Sequence, residues 1–107
     1  MNNVLHNTTF AVDNRLVDAF LDFMRGTYLP ALTAAGASDC VLARMATEAD
    51  MAPCFALQHR RAHCQSVAVD NAISALKAEM AKRWADGVVW FDSVLEIIAE
   101  SDDGRSC

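Results

Sequence analysis

The feature that most constrains this chain is the order in which its apolar residues change period. Val4 to Val12 alternates like a strand, and Asp13 to Ala35 repeats like a helix. Asp39 to Thr47 and Cys54 to Ala62 are strand-like again, Ser66 to Ala85 is helical, and Val88 to Ile98 ends as a strand. This β-α-β-β-α-β order predicts an α+β, ferredoxin-like sandwich: a four-stranded antiparallel sheet, order 4-1-3-2, with two helices on one face. A chain of 107 residues holds one core, so residues 1–100 are expected to form a single domain and 101–107 a disordered polar tail.

Local chemistry supports these spans. Asp13 stands where a helix N-cap belongs. Leu16, Phe20, Phe23 and Met24 follow at helical spacing, with Val17 and Leu21 widening the stripe. Gly26 and Pro30 then predict a kink around Gly26 to Leu29, and Gly36 a left-handed stop. Tyr28 at the break is read as packing, with a pocket role as the alternative. The later helix carries Val69, Ala72, Ile73, Leu76, Met80 and Trp84 on one face, a Glu79–Arg83 pair on the other, and Gly87 as its stop.

Charge excludes some partners. With 14 acidic and nine basic residues the net charge is −5, without the basic footprint that tracks a nucleic-acid backbone. The one dense basic stretch, His59 to His63, has no interleaved aromatics and reads as a solvated strand end. No nucleic acid is expected as partner. The N-terminus lacks the basic and apolar regions of a signal peptide, and no apolar run approaches the ~20 residues of a membrane span. The expectation is a cytoplasmic protein with reduced thiols and no membrane partner. Cys40 falls opposite roughly residue 59 in the hairpin, so no Cys40–Cys54 bridge is expected. His59 and His63 would lie about 13 Å apart along a strand, too far for one ion. The sequence therefore assigns no metal, and without a Gly-rich phosphate loop it assigns no cofactor.

Helices on one face leave the other open. Assigning the greasier alternation of each strand to the helices puts Phe10, Val12, Val41, Ala43, Met45, Phe55, Leu57, Val89, Phe91 and Leu95 beneath them. The open face then carries Asn7 and Thr9, Leu42 and Arg44, Ala56, Gln58 and Arg60, and Trp90, Asp92 and Val94. That mixture is too apolar for bare solvent and too polar for a closed core. A symmetric homodimer through this face is expected, with Trp90 between the subunits.

His6-Asn7-Thr8-Thr9-Phe10-Ala11-Val12-Asp13 resembles the opening strand of small bacterial proteins of the domain-of-unknown-function 4286 family. Phe20-Leu21-Asp22-Phe23-Met24, Tyr28-Leu29-Pro30, Val41-Leu42-Ala43-Arg44, Phe55-Ala56-Leu57-Gln58 and Phe91-Asp92-Ser93-Val94-Leu95-Glu96 extend the resemblance in order. The chain departs from the family's pattern at His6, where an aromatic is common, and at His59-Arg60, where an aromatic–acid pair is common. The resemblance implies ferredoxin-like domains of the dimeric α+β barrel type and carries over no catalytic residue.

The function expected is a homodimeric structural or small-ligand-binding module without a catalytic assignment. The alternative, by analogy with related barrels, is a cofactor-independent oxygenase- or isomerase-like enzyme acting on a small apolar substrate. Asn7, Arg44, Gln58, Trp90 and Asp92 would then line its cavity, with Arg44 as anion clamp and Asp92 as base.

Overall fold

The structure, a computed structural model, describes residues 4–46 and 51–99. The polar tail and most of the turn between the second and third strands lie outside the described residues. Strands β1 (Val4–Val12), β2 (Ala37–Arg44), β3 (Cys54–Arg61) and β4 (Val88–Glu96) form one antiparallel sheet. Its order is β2-β3-β1-β4, which from the other edge reads 4-1-3-2. The helical layer consists of α1 (Val17–Phe23), α2 (Leu29–Ala35) and α3 (Ser66–Trp84). Phe10, Val12, Phe55, Leu57 and Val88 from the sheet meet Phe20, Phe23, Leu32, Val69 and Met80 from the helices in one buried core. The helices thus cover a single face.

The Asp13 carboxylate accepts from the Arg15 amide at 3.1 Å, the capping role its position suggests. Between α1 and α2 the backbone widens into a π-helical turn, Met24–Tyr28. Pro30 offers no amide hydrogen to the turn before it, and its ring would crowd the Gly26 carbonyl; the wider turn relieves both without breaking the helix. The turn carries Tyr28 into the core, fully buried and edge-on to Phe10 and Phe23 at 6.0 and 6.3 Å. Among the described residues its hydroxyl has no hydrogen-bond partner. Packing, not a pocket, is its role. Tyr28→Phe removes an unpaired buried hydroxyl and is expected to raise stability by about 1 kcal/mol in urea unfolding. A loss of that size would reveal a partner for the hydroxyl.

Gly36 closes α2 at φ 116°, where a side chain would also strike Gln65. The stop after α3 differs from expectation. Ala85, not Gly87, takes the positive φ of 48°. Gly87 instead leaves room for Leu16, whose Cδ1 would lie 2.5 Å from an added Cβ, while its carbonyl accepts from the Asp13 amide at 2.8 Å.

The two faces follow the expected alternation on β1 and β3 and the opposite one on β2 and β4. On β2 the register shifts between Ser38 and Val41, where Asp39 adopts φ 53°. Past that irregularity Cys40 and Leu42 are half-buried against the core, and Val41 and Met45 face out. On β4 Val88 and Trp90 turn inward while Val89, Phe91 and Leu95 turn outward. Leu42, Arg44, Trp90, Asp92 and Val94 therefore belong to the helical face, and Asn7, Thr9, Ala56, Gln58 and Arg60 to the open one. The premise that the greasier alternation faces the helices fails because the open face is itself greasy: Val41 is 56%, Val89 50% and Phe91 63% exposed. Trp90 turns toward the helical side by this placement; it packs on Phe10 at 6.4 Å, with the Lys77 ammonium 5.9 Å above its ring. Among the described residues no helix is long and apolar enough to cross a membrane.

Candidate functional site

The inward alternation of β3 runs Phe55, Leu57, His59, Arg61, and all are buried. Its last two positions thus place an imidazole and a guanidinium where aliphatic side chains would continue the core. Antiparallel register sets His6 of β1 beside His59, and Thr8 of β1 beside Asp92 of β4. From above, α3 presents Asp70, Ile73 and Lys77, which a helical repeat brings to one face. These side chains surround a cavity of about 300 Å³.

Its polar groups are tightly connected. Arg61 donates to His59 Nε2 from Nε at 3.3 Å and from Nη2 at 2.9 Å. Its Nη1 reaches the Ser66 carbonyl at 3.4 Å and forms an ion pair with Asp70. A guanidinium can only donate, so His59 Nε2 presents its lone pair and the neutral ring carries its proton on Nδ1. Burial, reinforced by the Arg61 charge, lowers the His59 pKa to about 4. His6 lies flat on His59, centroids 5.1 Å apart and planes 12° from parallel, and the same causes lower its pKa. Across the cavity, Thr8 Oγ1 donates to Asp92 Oδ1 at 2.6 Å and Lys77 Nζ to Oδ2 at 2.5 Å. Burial pushes the Asp92 carboxyl upward, but the Lys77 and Thr8 hydrogen bonds outweigh it and leave it below its ordinary value. Among the described residues no group of three or more His, Cys, Asp or Glu is placed to hold a metal ion.

A second hollow of about 310 Å³ lies between α1, α2 and β2, lined by Leu21, Leu29, Leu42 and Phe55 with Arg25 and Arg44 at its mouth. The Arg44 guanidinium sits 4.9 Å above the Phe55 ring. A shallower apolar groove of about 230 Å³ crosses the open face between Ala11, Cys54, Val89 and Phe91.

The residues expected to share one site are therefore distributed. Asn7 and Asp92 border the polar cavity, Leu42 and Arg44 the second hollow, and Thr9 and Trp90 the groove. Gln58 and Arg60 stand on the open face. Arg44, the expected anion clamp, and Asp92, the expected base, line different hollows, and Asp92 is already paired with Lys77. The basic stretch at the end of β3 is not simply solvated, since His59 and Arg61 are buried. Sequence reasoning did not bring His6, Thr8, His59, Arg61, Asp70 and Lys77 together, and weighed His59 only as a metal ligand with His63. Carrying the Phe55–Leu57 alternation two steps further would have placed His59 and Arg61 inside.

Residues 3–98 match the sequence profile of the domain of unknown function DUF4286. The chain belongs to that family. No curated protein matches this DUF4286 chain. Among solved structures it resembles a dimeric ferredoxin-like protein from an uncultured marine organism, with TM-score 0.67 and 10% identity over 94% of this chain and 100% of that one. It also resembles a protein of unknown function from Nitrosomonas europaea, with TM-score 0.63 and 16% identity over 94% of each chain. A candidate antibiotic biosynthesis monooxygenase from the same organism gives TM-score 0.62 and 14% identity over 92% of this chain and 93% of that one. At these identities the likeness is one of fold, and the fold of the DUF4286 chain is ferredoxin-like.

Proposed function

We propose that this DUF4286 protein is a homodimeric small-molecule-binding module of the cytoplasm. Two copies pair through their open sheet faces, and each carries a ligand cavity under α3. The observation that carries the binding role is the polar cavity itself. Burying His59 and Arg61 costs more than continuing the Phe55–Leu57 core, and buried polar groups that converge on a hollow, His59 with its lowered pKa among them, mark sites where a ligand is held. The pairing is supported by the exposed apolar side chains of β2 and β4, and by fold neighbours described as dimeric.

A thermal-shift screen of small polar metabolites tests the binding role. A ligand at about a hundred times its Kd adds about 2.7 kcal/mol and raises the melting temperature by several degrees. Ile73→Phe, which fills the cavity, is expected to abolish that shift. A shift that survives Ile73→Phe, or silence across the screen, contradicts the assignment.

A further inference from the structure

The hollow between α1, α2 and β2 lies at the opposite end of β3 from the polar cavity, at Phe55 rather than at His59 and Arg61. Leu21, Arg25 and Leu29 recur every four residues, so the helical run that contains the π-helical turn presents them as one ridge. Leu42 and Arg44 alternate on β2, and the antiparallel register sets Arg44 beside Phe55. These side chains line a space of about 310 Å³. Its floor is apolar and firm, since Phe55 is buried and packs on Phe20 at 5.2 Å. Its charge runs against that of the chain. The protein carries a net −5, yet among the described residues no carboxylate lines this hollow and neither Arg25 nor Arg44 has an ion pair.

We propose that this hollow binds a small apolar carboxylate, a short alkyl chain or a single ring with one carboxylate head. The Arg44 guanidinium spends its flat face on the Phe55 ring, 4.9 Å away, and keeps its in-plane N–H donors for the two oxygens of a carboxylate. The same stacking restrains the side chain, so less freedom is lost when a ligand arrives. Arg25 adds a second positive charge at the same mouth. Both guanidiniums are exposed, so water and salt screen them and the pull of each is modest. The apolar floor supplies the larger share of the affinity, and the arginines choose the sign of the head. A cation of the same shape meets two like charges, and a neutral alcohol keeps the floor but loses the pairing. The volume lies at the small end of ligand cavities, which favours a short body over a long acyl chain or a nucleotide.

The test is titration calorimetry on the full chain with octanoate. Saturable binding is expected, about tenfold tighter than that of octanol, which has a similar body and no charge. Arg44→Met keeps much of the stem without the fork; it should weaken octanoate about tenfold and leave octanol unchanged. Arg44 is exposed, so this variant should fold as the wild type does. Leu21→Trp, which fills the hollow, should abolish binding of both compounds. Ile73→Phe alters only the cavity under α3 and should leave octanoate binding intact, so the two sites are judged separately. Octanol binding as tightly as octanoate, or Arg44→Met binding octanoate like the wild type, would overturn the proposal. So would the absence of saturable heat at millimolar octanoate. Octyl phosphate binding more tightly than octanoate would reassign the head to phosphate and overturn the carboxylate.

Discussion

Replacing Phe91 with arginine is expected to turn a dimer into a monomer. Phe91 is the most exposed of the aromatic side chains and lies outward on β4, flanked by Val89 and paired across the sheet with Thr9. From Thr9 the row continues through Ala56 to Ala43, small side chains that would let an opposing sheet approach closely. A guanidinium in the middle of such a contact is desolvated without a partner. At about 2 kcal/mol per copy, counted twice in a two-fold dimer, dissociation strengthens roughly a thousandfold. Val67→Arg is the control: Val67 is equally apolar and 73% exposed, but sits on α3, on the opposite side of the sheet. Sedimentation should show Phe91→Arg monomeric at micromolar concentration and Val67→Arg dimeric. Equal behaviour of the two variants removes Phe91 from any interface.

The second large effect is loss of stability in mild acid. Unfolded, His59 titrates near its ordinary 6.5; folded, burial and Arg61 lower it to about 4. The unfolded chain therefore binds more protons across that window. Stability from this group is fully present above pH 6.5 and is lost as pH falls toward 4, by about 3 kcal/mol in all. His6, also lowered, acts in the same direction. The other charged groups facing the pair are Arg61 on β3, Asp70 and Lys77 on α3, and Asp92 on β4. Asp92 is held below its ordinary value and contributes only at still lower pH. His59→Gln keeps an oxygen acceptor for Arg61 but does not titrate, so its urea-unfolding free energy should fall markedly less between pH 6.5 and 4.5 than that of the wild type, the remaining slope coming from His6. Parallel curves for the two proteins would place the acid sensitivity elsewhere.

The fold was legible because its signals are local. Periodicity located the first strand and the stripe on α3, and residue chemistry the capping aspartate and the kink before Pro30. The faces of β2 and β4 were not, for two physical reasons. A bulge at Asp39 inserts a residue that no pattern announces, and on β4 both alternations are apolar, so greasiness cannot say which is inside. That ambiguity fits the proposed pairing, in which a second copy covers the outer alternation. The polar cavity was hidden by a different habit of reading. His59 and Arg61 look like a solvated strand end when judged by residue type, yet they keep step with Phe55 and Leu57. Arg61's partner Asp70, like Lys77, lies on the flank of α3, where charges ordinarily face water, and only tertiary packing brings Asp70 to β3 and Lys77 to Asp92 on β4.

A single mass measurement bears most directly on the central claim that the apolar outer face of the sheet is covered by a second copy. Analytical ultracentrifugation of the wild-type protein at micromolar concentration should give twice the 11.7 kDa of one chain. A species of one-chain mass that persists as the protein is concentrated would contradict it, since Val41, Val89 and Phe91 would then stand in water with nothing upon them.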